Sequence, residues 1–513
     1  MCYNLSMRND LITAIATALS PAAVSVIRLS GKGAAAAADK IFRAYSGASV
    51  PALPQRVLTA GRIESGAAQD EALCALFPED KSFTGEESVE FHCHGGVALA
   101  LAVVEELKKN GARQAEAGEF TKRAFLNGKL DLTKAEGIAD LIEAECEAEL
   151  RAGGNLLAGG LKDFCTERLD GLTAVLAELD AACDYPDEYD GESLRERTLD
   201  GLQNILTETE TLLNSYNTGR MIKDGIQCVI TGKVNTGKSS VLNALARSER
   251  AIVTPIPGTT RDLISETIVY KGFKIHLTDT AGIRKARTLP EKLGVERALN
   301  AAASADVVLD IRDVSQMKND KGQGINEDNQ RTAHSAQYTM KDRAKSRGEG
   351  QITNNEIKSD YQSQITDHRP PYKITLYNKC DLLSSALREK FSNFNFQLST
   401  DHYPITTNHY PLLLVSAKTG ENLDKLLDLI LEKTAVNGFT GGLILTTVRQ
   451  RDAIKRAVDA LKRAITAMTN PLLPLDVTYT DIKEAWAAFG NVTGTATPET
   501  IINALFSRFC VGK

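Results

Sequence analysis

The sequence lacks three features that would mark it as secreted, membrane-bound or broadly basic. Its nine cysteines include no CxxC pair, which indicates reduced thiols rather than a disulfide framework. No uncharged run reaches the roughly 20 apolar residues that a membrane-spanning helix needs. The net charge of -6 gives no overall attraction to nucleic acid, so any RNA contact needs a local basic surface. These absences predict a soluble, cytoplasmic protein.

The first part of the chain predicts an α+β unit. Its most apolar stretch, 11–29, contains Pro21 and Arg28, which favours a strand-turn-strand opening over a secretory signal. Strand-forming runs at 24–29, 71–77 and 88–93 alternate with a helical run at 97–110. With 513 residues in all, the chain has room for about three domains.

The rest of the chain predicts two helical segments on either side of an α/β segment. Apolar residues at helical spacing mark 134–222, with breaks expected at Gly153–Gly154 and Cys183–Gly191. Strand and helix patterns alternate over 223–437, and a helical pattern resumes over 438–513. Within the α/β segment, residues 315–371 are polar and aperiodic, which predicts a disordered insertion.

A phosphate-binding motif follows the short apolar strand Cys228–Ile230. Residues 232–239 read Gly-Lys-Val-Asn-Thr-Gly-Lys-Ser, and a helical pattern begins at Ser240. In such a loop, backbone N–H groups surround the phosphates, the Lys238 ammonium reaches the β- and γ-phosphates, and the Ser239 hydroxyl ligates Mg²⁺. The strand before and the helix after make a chance match rare.

Three further motifs each follow an apolar strand. Asp-Thr-Ala-Gly at 279–282 offers an aspartate that faces Mg²⁺ through water and a glycine N–H for the γ-phosphate. Asn-Lys-Cys-Asp at 378–381 ends in a carboxylate that can accept two hydrogen bonds from guanine but not from adenine. The backbone of Ser-Ala-Lys at 416–418 can read the guanine oxygen. In this order the motifs predict a GTPase.

The residue after the Asp-Thr-Ala-Gly motif departs from Ras-like enzymes, which place a glutamine there to orient the attacking water. Here it is Ile283, which cannot do so. Catalysis must therefore recruit another group. The segment 254–262, Thr-Pro-Ile-Pro-Gly-Thr-Thr-Arg-Asp, is an extended switch, and one of its threonines can ligate Mg²⁺.

Outside 315–371, nearly the whole chain resembles the bacterial and organellar tRNA modification GTPases called MnmE or TrmE. The resemblance is carried by Gly-Thr-Thr-Arg at 258–261, Asp-Thr-Ala-Gly at 279–282, Ser-Phe-Thr-Gly-Glu-Glu at 82–87, His-Gly-Gly at 94–96, Gly-Glu-Phe at 118–120, Arg-Ala-Phe-Leu-Asn at 123–127, Lys-Leu-Asp-Leu at 129–132, Ala-Glu at 135–136, Ala-Asp-Leu-Ile at 139–142 and Phe-Cys-Val-Gly-Lys at 509–513. The terminal motif is highly specific, since unrelated G proteins do not end this way.

The resemblance implies a multidomain fold, α/β and α. An N-terminal α+β folate-binding and dimerisation domain (1–133) precedes a discontinuous helical domain (134–222 and 438–513), into which a Ras-like P-loop α/β G domain (223–437) is inserted. It also implies a homodimer that joins an FAD-dependent partner of the MnmG or GidA type in a heterotetramer. Together they would modify carbon 5 of the wobble uridine of certain tRNAs. The implied cofactors are GTP, Mg²⁺, K⁺ and 5-formyl- or methylene-tetrahydrofolate.

The motif-by-motif match assigns residues to these ligands. The GTP-binding set is Asn235, Thr236, Gly237, Lys238, Ser239, Ser240, Thr254, Pro255, Ile256, Pro257, Gly258, Thr259, Thr260, Asp279, Thr280, Ala281, Gly282, Asn378, Lys379, Asp381, Ser416, Ala417 and Lys418. Mg²⁺ is assigned to Ser239 and Thr260, K⁺ to Asn235, Thr254, Ile256 and Thr259, and folate to Arg28, Glu90, Lys129 and Lys513. Glu291 matches the catalytic glutamate that orients water; on its own it would be read as a surface carboxylate.

Some features depart from the family pattern or stay open. Residues 18–24 lack the usual Pro-Pro-Gly-rich turn near the folate pocket, and Val511 replaces an isoleucine. His92 and His94 share a strand face, but two histidines are an incomplete metal site, so a structural role is favoured. Cys510 is either a functional thiol or a packing residue.

Two other functions remain as alternatives at this stage. A ribosome-assembly GTPase would need an RNA-binding module such as a KH domain with its GXXG loop, and the sequence contains none that we identify. A folate-dependent one-carbon transferase acting on a protein or small molecule would use the G domain for regulation.

Overall fold

A computed structural model describes residues 10–66, 68–185, 187–247, 252–253, 265–279, 304–314, 371–385, 388, 412–470, 472–474, 476–495, 497–507 and 509–512. The strands are β1 (Ile12–Ile15), β2 (Val24–Ser30), β3 (Phe42–Ala44), β4 (Thr59–Ser65), β5 (Ala68–Phe77), β6 (Ser88–His94), β7 (Arg113–Gln114), β8 (Ile226–Thr231), β9 (Ile252–Val253), β10 (Ser265–Tyr270), β11 (Phe273–Asp279), β12 (Val307–Asp313), β13 (Tyr372–Asn378) and β14 (Leu412–Leu414). The helices are α1 (Ala34–Asp39), α2 (Val97–Lys109), α3 (Glu119–Leu126), α4 (Leu132–Glu143), α5 (Glu147–Ala158), α6 (Gly160–Asp184), α7 (Gly191–Asn214), α8 (Tyr216–Asp224), α9 (Lys238–Ala246), α10 (Leu423–Lys433), α11 (Val448–Met468), α12 (Asp476–Thr493) and α13 (Glu499–Phe506).

The chain divides into two compact units. The first unit contains Met1–Glu143, Leu150–Tyr216 and Gly442–Lys513. The second contains Asn217–Gly441 and, in addition, the six residues Ala144–Glu149 at the junction of α4 and α5.

The first unit opens with a largely antiparallel sheet, in the order β3-β4-β5-β6-β2-β1-β7. Strand β1 pairs with β2, which confirms the predicted strand-turn-strand opening. Along β2 and β6 buried residues alternate with more exposed ones, as expected for strands with one face on a core. The core face includes Ile27, Leu29, Val89 and Phe91, packed with α2.

Long amphipathic helices make up the rest of the first unit. Helices α6 and α7 are separated at the predicted break before Gly191, and α11 carries the predicted C-terminal helical pattern. Their apolar faces form one buried cluster that includes Leu172, Leu202 and Leu461. The N-terminus of α11 is fixed by a capping box of Thr447 and Gln450, which satisfies backbone N–H groups that a helix end leaves unpaired.

The break predicted at Gly153–Gly154 is wrong, because α5 runs through both glycines. Gly153 lies against α4: a Cβ on Gly137 would stand 2.9 Å from the Gly153 carbonyl oxygen and 2.8 Å from the Leu157 nitrogen. The two helices therefore approach closely through small residues. Gly137 and Gly153 thus allow the two helices to pack closely, and neither marks a chain reversal.

The second unit is built on a sheet in the order β14-β13-β12-β8-β11-β10-β9. Strands β8, β11, β12, β13 and β14 run parallel, whereas β9 and β10 are antiparallel additions at one edge. The carboxyl ends of the parallel strands therefore share one edge, where ligands bind in open α/β sheets. The predicted combination of an α+β part, a helical part and an α/β part is confirmed.

Three expectations about the whole chain can be compared only with the described residues. No helix among them is long and apolar enough to cross a membrane. The eight cysteines they include are all free thiols. The predicted insertion at 315–371 lies outside them, apart from Pro371.

Candidate functional site

The loop between β8 and α9 has the geometry of a phosphate cradle. Gly232 has φ +141°, and a Cβ there would lie 2.2 Å from the Ile311 carbonyl oxygen; Gly237, with φ +89°, precedes α9. Lys238 is 8% exposed, and its ammonium donates to the Lys233 carbonyl over 2.8 Å. The cation thus lies within the loop at a helix N-terminus, where backbone N–H groups favour an anion.

A hydroxyl and a carboxylate meet beside this loop. Asp279 ends β11 in register with Ile230 of β8, and it is 1% exposed. The Ser239 hydroxyl donates to Asp279 Oδ2 over 2.8 Å. Both groups offer the hard oxygen atoms that Mg²⁺ prefers. The pair therefore fits the predicted metal, and both side chains lie where the sequence motifs predict them.

One side chain joins the phosphate loop to the loop at 416–418. Asn378, the last residue of β13, is 2% exposed. Its amide nitrogen donates to the Thr236 carbonyl over 3.1 Å, and its amide oxygen accepts from the Ala417 N–H over 3.1 Å. The asparagine thus holds two loops of the predicted GTP site in a fixed relation.

The predicted guanine-reading carboxylate is held by a buried hydroxyl. The Ser416 side chain, fully buried, donates to Asp381 Oδ1 over 2.7 Å. This bond fixes the orientation of the carboxylate at the sheet edge. Burial, followed by the nearby Glu421 carboxylate, raises the pKa of Cys380 to about 11, so this thiol stays protonated and is not a nucleophile.

The remaining residues at the rim are more exposed. Asn235, Ser240 and Lys418 are exposed. Asn235 and Lys379 both have left-handed backbone, with φ of +65° and +69°, and the Lys379 ammonium lies 3.5 Å from the Asn235 carbonyl oxygen. The structure therefore brings all described members of the predicted GTP set to one sheet edge.

Sequence reasoning missed one member of this edge. Asp313, the last residue of β12, forms an ion pair with Lys379. The only signal in the sequence was an acidic residue at the end of an apolar strand. Short motifs could not identify it, because its partner lies 66 positions away.

Other predicted site residues lie outside the described part of the chain. They are Thr254, Pro255, Ile256, Pro257, Gly258, Thr259, Thr260, Thr280, Ala281, Gly282, Glu291 and Lys513.

The predicted folate residues fall at two places in the first unit. Arg28 and Glu90 occupy facing positions of β2 and β6, and the guanidinium donates to the carboxylate over 2.8 Å. Lys129 instead donates to the Asp80 carbonyl over 2.7 Å. It lines an open cavity of about 650 Å³ together with Pro78, Glu79, Asp80, Gly85 and Glu87. The hydrogen bonds of these residues thus differ: Arg28 donates to Glu90, and Lys129 donates to Asp80.

The two histidines of β6 have carboxylates nearby: Glu90 lies 3.8 Å from His92, and Asp70 contacts His94. The His94 Nδ1 atom lies 2.6 Å from Asp70 Oδ1, and the hydrogen bond that this carboxylate accepts raises the pKa of the imidazole. Burial raises the pKa of Cys93 to about 12. No cluster of three metal-ligating side chains occurs in the described segments.

The C-terminal motif is seated against the N-terminal part of its own unit. Val511 forms an antiparallel bridge with Ala117, and the Gly118 N–H donates to the Cys510 carbonyl over 3.3 Å. A Cβ on Gly512 would lie 2.3 Å from the Ile15 carbonyl oxygen. Only glycine fits there, and the thiol of Cys510 remains exposed.

Known proteins are similar to this chain over nearly its whole length. The sequence model for the MnmE helical domain matches residues 132–510, and that for the GTP-binding protein TrmE N-terminus matches residues 11–129. The tRNA modification GTPase MnmE of Carboxydothermus hydrogenoformans is 34% identical over 514 residues, 99% of this chain and 100% of the relative. That of Clostridioides difficile is 32% identical over 510 residues, 98% of this chain and 99% of the relative.

Similarity to solved structures is weaker. The G domain of the T. maritima FeoB iron transporter covers 40% of this chain and 98% of that chain, with 19% identity and a TM-score of 0.21. Because both domain models match and the relatives align over nearly the whole chain, the chain belongs to the MnmE family of tRNA modification GTPases.

Proposed function

We propose that this chain binds and hydrolyses GTP as part of a reaction that modifies carbon 5 of the wobble uridine of certain tRNAs. The observation that carries the proposal is the double hydrogen bond of Asn378, to the Thr236 carbonyl and to the Ala417 N–H. It joins the loop that suits phosphates to the loop that suits guanine. Membership in the MnmE family supports the tRNA reaction.

Each described side chain has a chemical role in this proposal. Lys238 offsets phosphate charge, and Asp381 accepts hydrogen bonds from the guanine N–H edge. Mg²⁺ would be held by Ser239 with Asp279 in support, and it would neutralise charge that develops on the phosphates. The 2.8 Å hydrogen bond between these two oxygen-bearing groups supports that assignment.

Hydrolysis in this proposal depends on K⁺ and on pairing of two G domains. The exposed Asn235, with its left-handed backbone at the loop rim, supports a cation ligand at that point. A monovalent cation there would supply charge that an arginine finger supplies elsewhere. Glu291 is proposed to orient the attacking water, in place of the glutamine that Ile283 replaces. Ordering of both switches on pairing would exclude water.

The N-terminal domain, taken as 1–133, is proposed to bind a reduced folate. A guanidinium suits the ligand's glutamyl carboxylates and a carboxylate suits its pterin N–H edge, which the paired Arg28 and Glu90 can supply. Lys129 and Lys513 are proposed to add positive charge. The helical domain would comprise 134–222 and 438–513, and the G domain 223–437.

The proposal includes a homodimer that forms a heterotetramer with an FAD-dependent MnmG-type partner in the cytoplasm. 5-Formyl- or methylene-tetrahydrofolate would supply the one-carbon unit. Free thiols at all described cysteines fit a reducing compartment.

The tRNA reaction is tested by comparing modified nucleosides from a deletion strain, its parent, and strains complemented with wild type or with Ser239→Ala. We expect carbon-5-modified wobble uridine to disappear on deletion and to return only with the wild type. An unchanged nucleoside profile together with a ribosome-assembly defect would favour the assembly GTPase. Unchanged tRNA with altered one-carbon metabolites would favour the folate transferase.

The cation mechanism is tested by turnover in KCl and in matched NaCl. Because oxygen cages distinguish ions by size and ligand field, we expect much faster turnover in KCl. Asn235→Ala should remove the difference, whereas the exposed helical variant Asn243→Ala should keep it. Glu291→Ala should lower turnover with little change in GTP affinity. Equal rates in both salts would exclude the cation, and a fully active Glu291→Ala enzyme would make that residue a surface carboxylate.

A further inference from the structure

Asp313 has no assigned role, yet it lies at the sheet edge that carries the nucleotide motifs. Strands β12 and β13 run parallel, with Asp313 in register with Asn378. This register brings the carboxylate beside Lys379, the residue that follows Asn378. The Asp313 side chain is 13% exposed and that of Lys379 is 40% exposed, so the acid is the more buried partner of the pair.

The Lys379 ammonium lies between two oxygen partners. It forms an ion pair with Asp313 Oδ2 and lies 3.5 Å from the Asn235 carbonyl oxygen of the phosphate loop. The backbone of Lys379 adopts the left-handed conformation, with φ +69°, which is uncommon for a residue with a side chain. Its aliphatic stem therefore spans from the guanine-reading motif to the phosphate loop.

We propose that Asp313 is a positioning residue for the bound guanine nucleotide. It holds the Lys379 stem across the space between the two loops, where the base and sugar of a nucleotide must lie if the proposed GTPase function is correct. A free lysine side chain has many rotamers, and binding must then order it. Asp313 orders the Lys379 side chain before the nucleotide binds. We therefore expect Asp313 to lengthen the lifetime of the nucleotide complex and to leave the rate of the chemical step unchanged.

A second aspartate of the same strand provides a matched control. Asp310 also belongs to β12, its side chain is 17% exposed, and it pairs with Arg312 and Lys373. It has the same charge, a similar exposure and cationic partners, but neither Arg312 nor Lys373 belongs to a nucleotide motif. A general effect of losing an acid from β12 would therefore appear in both variants.

The test measures dissociation of fluorescently labelled GDP and GTP by stopped flow, with kcat and KM for GTP. Because loss of one partner of a charge pair acts mainly on dissociation, Asp313→Asn should release both nucleotides about 10-fold faster. KM should rise, and kcat at saturating GTP should stay within about 2-fold. Asp313→Glu, which keeps the charge, should recover part of the lifetime. Asp310→Asn should match the wild type.

Two results would overturn the role of Asp313. One is an Asp313→Asn protein whose dissociation rates equal those of Asp310→Asn. The other is a kcat loss with unchanged dissociation, which would place Asp313 in the chemical step. If the wild type binds no guanine nucleotide at all, the proposed function itself fails, and the role of Asp313 fails with it.

Discussion

The Ser239 hydroxyl and the Asp279 carboxylate are joined by a 2.8 Å hydrogen bond between residues 40 positions apart. The parallel pairing of β8 and β11 produces this contact, because the phosphate loop follows one strand and Asp279 ends the other. Two oxygen-bearing groups at this distance can share one cation and its water shell.

This pair leads to a prediction about magnesium. Asp279→Asn removes negative charge from the support of the metal, so GTP affinity in Mg²⁺ should fall about 10- to 100-fold. Affinity measured in EDTA should change little, because the residue does not contact the nucleotide without the metal. Calorimetry in both buffers makes the comparison. An equal loss in Mg²⁺ and in EDTA would mean that Asp279 acts on the loop and not on the metal.

Guanine selectivity should depend on Asp381. In Asp381→Asn an amide replaces a double acceptor that Ser416 orients, so GTP affinity should fall on the order of 100-fold. Xanthosine nucleotides should gain affinity, since the amide can donate to the xanthine carbonyl. Binding by calorimetry measures both effects. Asp428→Asn is the control, since Asp428 is an exposed carboxylate of α10 that pairs with Lys271. A shift of nucleotide preference in this control as well would contradict the role assigned to Asp381.

The sequence predicted the parts of this site that depend on local order. Gly232, Lys238 and Asp381 lie in short motifs, each placed at a strand end by apolar residues that must form a buried sheet. A local pattern of this kind fixes the strand, its direction and the loop that follows. The position of such residues at the sheet edge can therefore be predicted without a structure, whereas their roles stay predictions.

Long-range pairs could not be predicted in the same way. Arg449 forms a two-pronged ion pair with Glu136, which is 3% exposed and 313 positions away. Neither residue differs, in sequence, from many solvated charges on helices. The same holds for Asp313 and Lys379, whose contact depends on strand register. The helix break predicted at Gly153 is wrong for the same reason, because the close approach of α4 and α5 cannot be recognised from the neighbouring sequence.

Helix packing predicts that alanine substitutions at two glycines change the free energy of unfolding in opposite directions. Gly137→Ala should lower the free energy of unfolding by about 1–3 kcal/mol, because the new Cβ has no room between α4 and α5. Gly154→Ala lies in a helix with nothing within 4 Å of its Cβ position, so it should stabilise by up to about 1 kcal/mol. Urea unfolding followed by helical circular dichroism distinguishes them. Equal effects would mean that α4 and α5 do not pack through Gly137.

Folate binding should depend on the Arg28–Glu90 pair. Arg28→Ala removes the cation proposed for the glutamyl carboxylates and leaves Glu90 without its 2.8 Å partner, so affinity for 5-formyltetrahydrofolate should fall at least about 10-fold. GTP turnover should not change, because the residue belongs to the first unit. Calorimetry measures the affinity, and Lys32→Ala, at an exposed position, is the control. Equal folate affinity in both variants would exclude this pair from the pocket.

A cluster of charged side chains in the first unit should make its free energy of unfolding fall at low pH. Glu119 accepts hydrogen bonds from Arg113 over 2.8 Å, from the Glu116 N–H over 2.9 Å and from Arg123 over 2.9 Å. Burial alone would raise the pKa of this carboxyl, but the bonds from Arg113, Glu116 and Arg123 outweigh it. They lower the pKa from its ordinary 4.5 to about 2.

The direction of the pH effect follows from these two values. Between about pH 4.5 and 2 the unfolded chain binds a proton at Glu119 that the folded chain does not. The stability contributed by the ionised carboxylate is therefore complete above pH 4.5, and it is lost as pH falls toward 2. Arg123, 5% exposed, would then lack part of its counter-charge.

Glu119→Gln removes the charge and keeps the shape of the side chain. At pH 7 it should lower the free energy of unfolding by on the order of 3 kcal/mol, the energy equivalent of the pKa shift. The difference from the wild type should shrink as both proteins are taken to pH 3, because the wild-type carboxylate gains a proton as the protein unfolds. Urea midpoints at the two pH values measure it. Glu105→Gln, at a 62% exposed carboxylate that pairs with Lys108 at 2.7 Å, should show little effect at either pH. A Glu119→Gln deficit of the same size at pH 7 and pH 3 would mean that the residue acts through its shape, and that the arginines do not depend on its charge.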